Sequence, residues 1–89
     1  MKAVITVIGL DTKGIIYKVT KVLFEEGINV EDITQTVLQG YFTMVMLVKS
    51  TEGINIKELS DKFEHLREEG LSIRIQKSEI FDVMHKVDM

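Results

Sequence analysis

The sequence predicts an α+β fold, a four-stranded antiparallel sheet that carries two helices on one face. Two observations lead to this prediction. Short runs rich in β-branched residues alternate with two stretches whose apolar residues recur every three or four positions. In chain order the elements then read β-α-β-β-α-β. The 89 residues suit one domain (1–89), because a second core would leave each half too short to bury enough apolar surface.

The first third of the chain supplies a strand and a helix. Residues 2–8 are mostly β-branched and predict a central strand. The loop at 9–14 follows, and its Asp11 or Thr12 can accept hydrogen bonds from the free N–H groups of the next helix. Gly27 is typical of a helix C-terminus. Between them one helical face carries the apolar residues Ile15, Ile16, Val19, Val22 and Leu23.

A hairpin is predicted next. Apolar side chains change parity along 28–38, which indicates a strand with a bulge near Asp32. Residues 39–40 (Gln-Gly) are typical of a tight hairpin turn, and 41–48 is a strongly apolar strand. These two strands should therefore pair antiparallel.

The last third repeats the pattern of helix and strand. Asn55 can cap a second helix, Gly70 can end it, and alternation along 71–76 predicts a half-buried fourth strand. The C-terminal extension, 79–89, contains apolar residues at helical spacing over 80–87, which predicts a short terminal helix. The buried face of the second helix should consist of Ile56, Leu59, Phe63 and Leu66.

Right-handed crossovers fold this order into the ferredoxin-like arrangement, with both helices on one face of the sheet. The other face is then open. Strands one and three are apolar on both faces, so a bare open face would expose a large apolar patch. We expect a second protomer, the segment from Ile80 onward, or both, to cover it.

Composition excludes several classes of function. The chain has no cysteine, which rules out disulfides, thiolate catalysis and cysteine metal sites. The net charge of −3, with both signs interspersed, argues against a nucleic-acid ligand. No apolar run approaches the roughly 20 residues of a membrane helix. We expect a cytoplasmic protein with no cofactor, no metal and no membrane partner.

Catalysis is not expected. Histidine is the usual acid or base at neutral pH, and the chain offers only His65 and His85, neither of which has an evident partner. An acylphosphatase-like enzyme shares the element order, but its glycine-rich loop with an anion-binding arginine is missing. An RNA-recognition module would need aromatic side chains on the open face of strand one, which has none.

The chain resembles the ACT domain family over essentially its whole length. The resemblance starts in the run Val7-Ile8-Gly9-Leu10-Asp11-Thr12-Lys13-Gly14-Ile15-Ile16 and continues in Gly27-Ile28-Asn29-Val30-Glu31-Asp32-Ile33 and Phe42-Thr43-Met44. Gln35-Thr36, Phe42-Thr43-Met44 and the tail from Ile80 to His85 are similar to stand-alone single-ACT proteins of bacteria and archaea, related to the glycine-cleavage regulator type.

This resemblance implies where a ligand would bind. In the family, small effectors, often amino acids, bind between domains near the first loop and first helix. The corresponding residues here are Asp11, Thr12, Lys13, Gly14 and Ile15, with an opposing wall at Asn29, Val30 and Asp32. Each residue also has a purely structural interpretation. In that interpretation, Asp11 and Thr12 do no more than cap the helix, and Gly9 and Gly14 do no more than permit turns. Asn29 then only shapes the turn into the second strand.

The expected function is therefore a non-catalytic, amino-acid-sensing regulatory domain that acts as a homodimer, or a higher oligomer, on a regulated enzyme or regulator. A dimerisation module without any small-molecule effector is the alternative. The two differ only in whether the pocket binds a ligand.

Overall fold

A computed structural model describes residues 1–10 and 14–78, and it confirms the predicted βαββαβ sandwich. The sheet is antiparallel, with strand order β2-β3-β1-β4, so β2 and β4 are its edges. The predicted helix at 80–87 lies outside the described residues. The elements are β1 (Lys2–Gly9), α1 (Ile15–Glu25), β2 (Asn29–Leu38), β3 (Tyr41–Lys49), α2 (Ile56–Lys62), α3 (Glu64–Glu68) and β4 (Ser72–Lys77).

The core lies between the helices and one face of the sheet. Alternate residues of β1 and β3 point into it, as a period of two requires. Met44 and Met46 are fully buried there and belong to the core. The other fully or almost fully buried side chains are Ala3, Ile5, Val7, Ile15, Val19, Leu23, Phe42, Val48, Leu59, Phe63 and Leu66.

Helix α1 buries a narrower face than the sequence predicted. Ile15, Val19 and Leu23 are buried, but Ile16 is 36% exposed, so its assignment to the buried face was wrong. Each residue advances about 100° around the helix axis, which turns Ile16 to the margin of the buried stripe. The predicted end at Gly27 is confirmed, because its φ of 70° lets the chain turn out of the helix.

The second predicted helix is broken in two at Phe63, and the expectation of one continuous helix was therefore wrong. In an unbroken helix the Ser60 carbonyl would accept from the N–H four residues later. Here it accepts from the N–H of Phe63 (3.1 Å) and from Nη1 of Arg67 (2.7 Å). The predicted buried face survives the break, and Asn55 caps α2 as expected, its Oδ1 3.0 Å from the amide nitrogen of Glu58.

The hairpin of β2 and β3 has the predicted bulge and turn. Val30 pairs with Val48 and Asp32 with Leu47, so Glu31 is the extra residue. The turn at 39–40 has both φ angles positive (49° and 83°), as a tight two-residue turn requires.

The open face carries an apolar stripe between polar edges. Val4 and Leu47 form one cross-strand pair of the stripe, and Ile8 and Val45 continue it. On the same face, β4 presents Ser72, Arg74 and Gln76, and β2 presents Thr34 and Thr36. The apolar patch thus lies mainly on the two central strands, and Leu38 of β2, 68% exposed, extends it beside Tyr41. None of the described helices has the length and apolar character needed to cross a bilayer.

Candidate ligand-binding site

The first group of predicted site residues lies where β1 passes into α1. Gly14 has φ 77°, a left-handed conformation that favours glycine, and its carbonyl accepts from the Lys18 N–H at 2.9 Å. Ile15 is 3% exposed and packs in the core, so only its backbone faces this end of the molecule. Among the described residues no side chain caps α1. Asp11, Thr12 and Lys13, with their predicted capping and ligand contacts, lie outside the described residues.

Gly9 has a role that the sequence did not reveal. Its φ lies outside the left-handed region, so it is not there to permit a turn. A Cβ on Gly9 would lie 2.5 Å from Cδ2 of Leu71 and 3.3 Å from Cδ1 of Ile15. Position 9 therefore requires glycine, because side chains at the start of α1 and just before β4 pack directly on the end of β1.

The second group lies at the start of β2. Asn29 is exposed and pairs with Lys49, and Val30 is 38% exposed. Asp32 already has a local partner, since its Oδ1 accepts from the N–H of Ile33 at 2.8 Å. Next to it, Glu31 forms an ion pair with Lys2 (3.2 Å). Within residues 1–10 and 14–78, Asn29 rather than Asp32 thus supplies a polar side chain without a hydrogen-bond partner at this end.

The two groups lie at opposite ends of the sheet. Gly9 pairs with Phe42 at the start of β3, whereas Asn29 pairs with Lys49 at its end. Those ends are separated by seven strand residues, or about 23 Å at 3.3 Å per residue. The structure therefore does not bring Gly14 and Asn29 into one pocket within a single chain.

Sequence reasoning missed a cleft of about 200 Å³ between α1 and α3. Across it, Nζ of Lys18 lies 2.7 Å from Oε1 of Glu69, and the two residues are 51 positions apart in sequence. This hydrogen bond and the positive charge of Lys18 lower the pKa of the Glu69 carboxyl below its ordinary value of 4.5, and the nearby His65 lowers it further. His65 itself is exposed.

Comparison with known proteins identifies the family. A family model described as the ACT domain matches residues 2–76. The chain belongs to the ACT domain family. A UPF0237 protein of Streptococcus mutans is 47% identical to this ACT domain over 88 residues, which are 98% of this chain and 100% of the relative.

Solved structures agree with this assignment. An ACT domain protein from Streptococcus pneumoniae shares 43% identity and superposes with a TM-score of 0.82, covering 91% of this chain and 93% of that one. The regulatory subunit of aspartate kinase from Thermus thermophilus, in its ligand-free form, is 31% identical with a TM-score of 0.64. That match covers 84% of this chain and 50% of the other. The resemblance read from the sequence is thus confirmed, and ACT domains are generally regulatory ligand-binding domains rather than catalytic ones.

Proposed function

We propose that this ACT domain is a non-catalytic cytoplasmic regulatory module that forms a homodimer and binds an amino acid between the two copies. The observation that carries the proposal is the separation of Gly14 and Asn29 at opposite ends of one sheet. A site that uses both residues needs a second chain.

A two-fold axis beside β2 and perpendicular to the sheet supports such a site. This axis reverses the strand direction, so the Asn29 end of one β2 meets the end of the partner chain that carries its Gly14. Because β2 is an edge strand, one row of its N–H and C=O groups has no partner strand within the described residues. Two copies of β2 can pair along this row and close the edge.

Exposed apolar side chains lie beside the same edge. Lys18 lines the cleft towards α3, and Ile16 is about 200° away from it around the helix, so Ile16 is on the side of β2. Val30 and Val37 pair with inward-facing residues of β3 and are 38% and 64% exposed. Phe24, outside the α3 cleft, is 84% exposed. These four residues are here called the β2 flank. A β2–β2 dimer would bury their apolar surface and remove it from contact with water.

The chemistry of the two ends suits an amino acid. The first N–H groups of α1 are unpaired within the helix and favour a carboxylate, which Gly14 admits because it has no Cβ. The side-chain oxygen of Asn29 can accept from an ammonium group. One zwitterion that contacts both chains would bind the dimer more tightly than it binds a single chain. Its binding would therefore stabilise the dimer, and this shift towards the dimer is the basis of regulation.

Thermal-shift screening of the proteinogenic amino acids at millimolar concentration tests this function. A ligand at 100 times its Kd stabilises the folded protein by about 2.7 kcal/mol, which in a domain of this size raises Tm by roughly 10 to 20 °C. Asn29→Ala should remove the shift. Asn55→Ala is the matched control, because it deletes the cap of α2, lowers the basal Tm and should leave the ligand shift intact.

The outcomes separate the two functions. Dimers by sedimentation without any ligand shift would support a dimerisation module and refute the sensor. A ligand shift unaffected by Asn29→Ala would refute the location of the site. Lone chains at micromolar concentration, with or without amino acids, would refute both functions.

A further inference from the structure

We propose that Arg67 closes the β4 edge of the sheet to a second chain, which leaves β2 as the edge through which copies of this chain pair. A sheet with two open edges can add a strand at either one, and each added copy then presents a new edge. Such growth has no end point, whereas pairing about a two-fold axis through one edge stops at two copies. The closure concerns β4, which the dimer proposed above does not use, so it holds or fails independently of that dimer.

The hydrogen-bond pattern fixes which backbone groups of β4 point out of the sheet. Met1 and Ser50 exchange two hydrogen bonds through their main-chain nitrogen and oxygen atoms, at 3.0 Å each, directly before the β1–β3 register. Hydrogen-bonded pairs recur at every second residue, so the odd-numbered residues of β1 bond to β3 and the even-numbered ones to β4. Thr6 pairs with Arg74, so the even-numbered residues of β4 face β1. The N–H and C=O groups of the odd-numbered residues, including Ile73, therefore point outwards.

The guanidinium of Arg67 occupies the place that an added strand would need. Its Nε and Nη2 atoms lie 3.2 Å and 2.9 Å from the outward carbonyl oxygen of Ile73, as the N–H donor of a neighbouring strand would. A carbonyl oxygen has two lone pairs, and here both have a donor. An added strand would lie about 4.8 Å from β4, in the space that holds the guanidinium. Strand addition at Ile73 therefore requires Arg67 to leave.

Arg67 is held firmly in this position. Its Nη1 and Nη2 atoms also donate to the carbonyl and the hydroxyl of Ser60, at 2.7 Å and 2.8 Å. The side chain is only 25% exposed, so its departure would break hydrogen bonds that water replaces poorly within a packed structure. Just before the strand, the N–H of Leu71 is also occupied, since it donates to the Leu66 carbonyl at 3.3 Å. The start of the β4 edge is thus closed by contacts within one chain.

Charge adds to this closure. β4 contains Arg74 and Lys77, both exposed, and no acidic residue, and Arg67 adds a third positive charge beside it. Two copies of β4 paired antiparallel would bring these like charges together, which is unfavourable. Positive side chains on an edge strand are a common protection against unwanted pairing.

The β2 edge has the opposite character. By the same alternation, its outward N–H and C=O groups belong to Ile33, Gln35 and Val37. The N–H of Ile33 has a local acceptor, Oδ1 of Asp32 at 2.8 Å. Within residues 1–10 and 14–78, no side chain bonds to the main chain of Gln35 or Val37, and residues 33–37 carry no charge. A second copy offers the same uncharged row of donors and acceptors, so it is the partner that this edge fits.

Sedimentation of the full chain, from micromolar to submillimolar concentration, tests the closure of β4. Arg67→Met removes the donors but keeps an unbranched side chain. It should form species that grow with concentration beyond the wild-type size, because β4 can then pair as well as β2. If Arg67→Met has no cooperative melt, Arg67→Gln replaces it, with the same expected growth. A variant that melts cooperatively and keeps the wild-type size at every concentration would overturn the proposal.

Two further variants separate edge pairing from aggregation of a weakened fold. Asn55→Ala deletes the cap of α2 but leaves the β4 edge intact, so it should keep the wild-type size. Ile75→Pro, added to Arg67→Met, removes an outward N–H that makes no bond within the sheet, and proline prevents a second strand from pairing there. This double variant should return to the wild-type size although it is less stable. Growth of Asn55→Ala, or growth of the double variant equal to that of Arg67→Met, would overturn the proposal.

The same experiment distinguishes a failure of this inference from a failure of the proposed dimer. If the wild type is a dimer, Arg67→Met should form tetramers and longer chains of dimers. If the wild type is a monomer, the proposed dimer is refuted, and the closure of β4 predicts a dimer for Arg67→Met. A monomeric Arg67→Met would then overturn the closure as well.

Discussion

The guanidinium of Arg67 donates two hydrogen bonds to the main-chain carbonyl of Ile73, at 3.2 Å from Nε and 2.9 Å from Nη2. The same group reaches the carbonyl and the hydroxyl of Ser60 at 2.7 Å and 2.8 Å. One partly buried side chain therefore joins α2, α3 and β4, and it satisfies the carbonyl that the helix break releases.

Arg67→Met should lower the free energy of unfolding by about 2 to 3 kcal/mol, because hydrogen bonds from a charged donor are lost and the Ile73 carbonyl loses both bonds from Arg67. Urea denaturation measures this change. Glu64→Gln is the control, since it affects only the exposed pair of Glu64 with Arg67 (3.1 Å), and it should cost no more than about 0.5 kcal/mol. Equal effects of the two variants would contradict the role assigned to Arg67.

The Lys18–Glu69 pair predicts a pH dependence. The pKa of Glu69 lies below its ordinary value of 4.5 in the folded protein, because Lys18 donates a hydrogen bond and adds a positive charge. The contribution of Glu69 to stability is thus fully present above pH 4.5 and is lost as the pH falls through the lowered pKa. NMR titration of the carboxyl measures it. Lys18→Met should return the pKa towards 4.5, and an unchanged value would contradict the cause given.

Gly9→Ala should destabilise the protein by about 1 to 3 kcal/mol, because the new methyl group enters a packed contact with Leu71. The cost should fall when Leu71→Ala provides room. A double-mutant cycle by urea denaturation measures this coupling. Additive effects of the two substitutions would show that the close approach of Leu71 is not the reason for glycine.

Gly14→Ala should cost about 1 to 2 kcal/mol through backbone strain alone, because φ is 77° and the nearest atom to a new Cβ is Cε of Lys18 at 4.0 Å. Gly14→Asn should cost less, since asparagine tolerates the left-handed region better than alanine does. Urea denaturation compares them. If asparagine cost as much as alanine, strain would not explain the preference for glycine at this position.

Val37→Glu should weaken the proposed dimer by about tenfold or more, which corresponds to roughly 1.4 kcal/mol, because it places a charge in the β2 flank. Val37 is 64% exposed, so the fold of the monomer should survive. Analytical ultracentrifugation measures the dimer dissociation constant. Val45→Glu, on the open face, is the control and should leave dimerisation intact. The reverse pattern would move the interface from the edge to the open face.

The elements, their ends and the hairpin could be predicted from the sequence because short-range rules control them. Gly27 ends α1, Asn55 caps α2, and Gln39-Gly40 turns the hairpin, each through a backbone preference or a hydrogen bond within a few residues. The bulge near Asp32 could be predicted in the same way, from a change of apolar parity along one strand. The family resemblance drew on the same local motifs.

Other features were decided by tertiary structure, because they join residues that are distant in the chain. Position 9 requires glycine because Leu71 packs against it. At the break in the second helix, Arg67 hydrogen-bonds to the carbonyl of Ile73 in β4. Likewise family order predicts two groups of candidate site residues, but only the strand register shows that Gly14 and Asn29 lie at opposite ends of the sheet. Periodicity assigns a residue to a face of its own helix or strand. The relative position of two such faces is fixed only when the sheet pairs and the core packs.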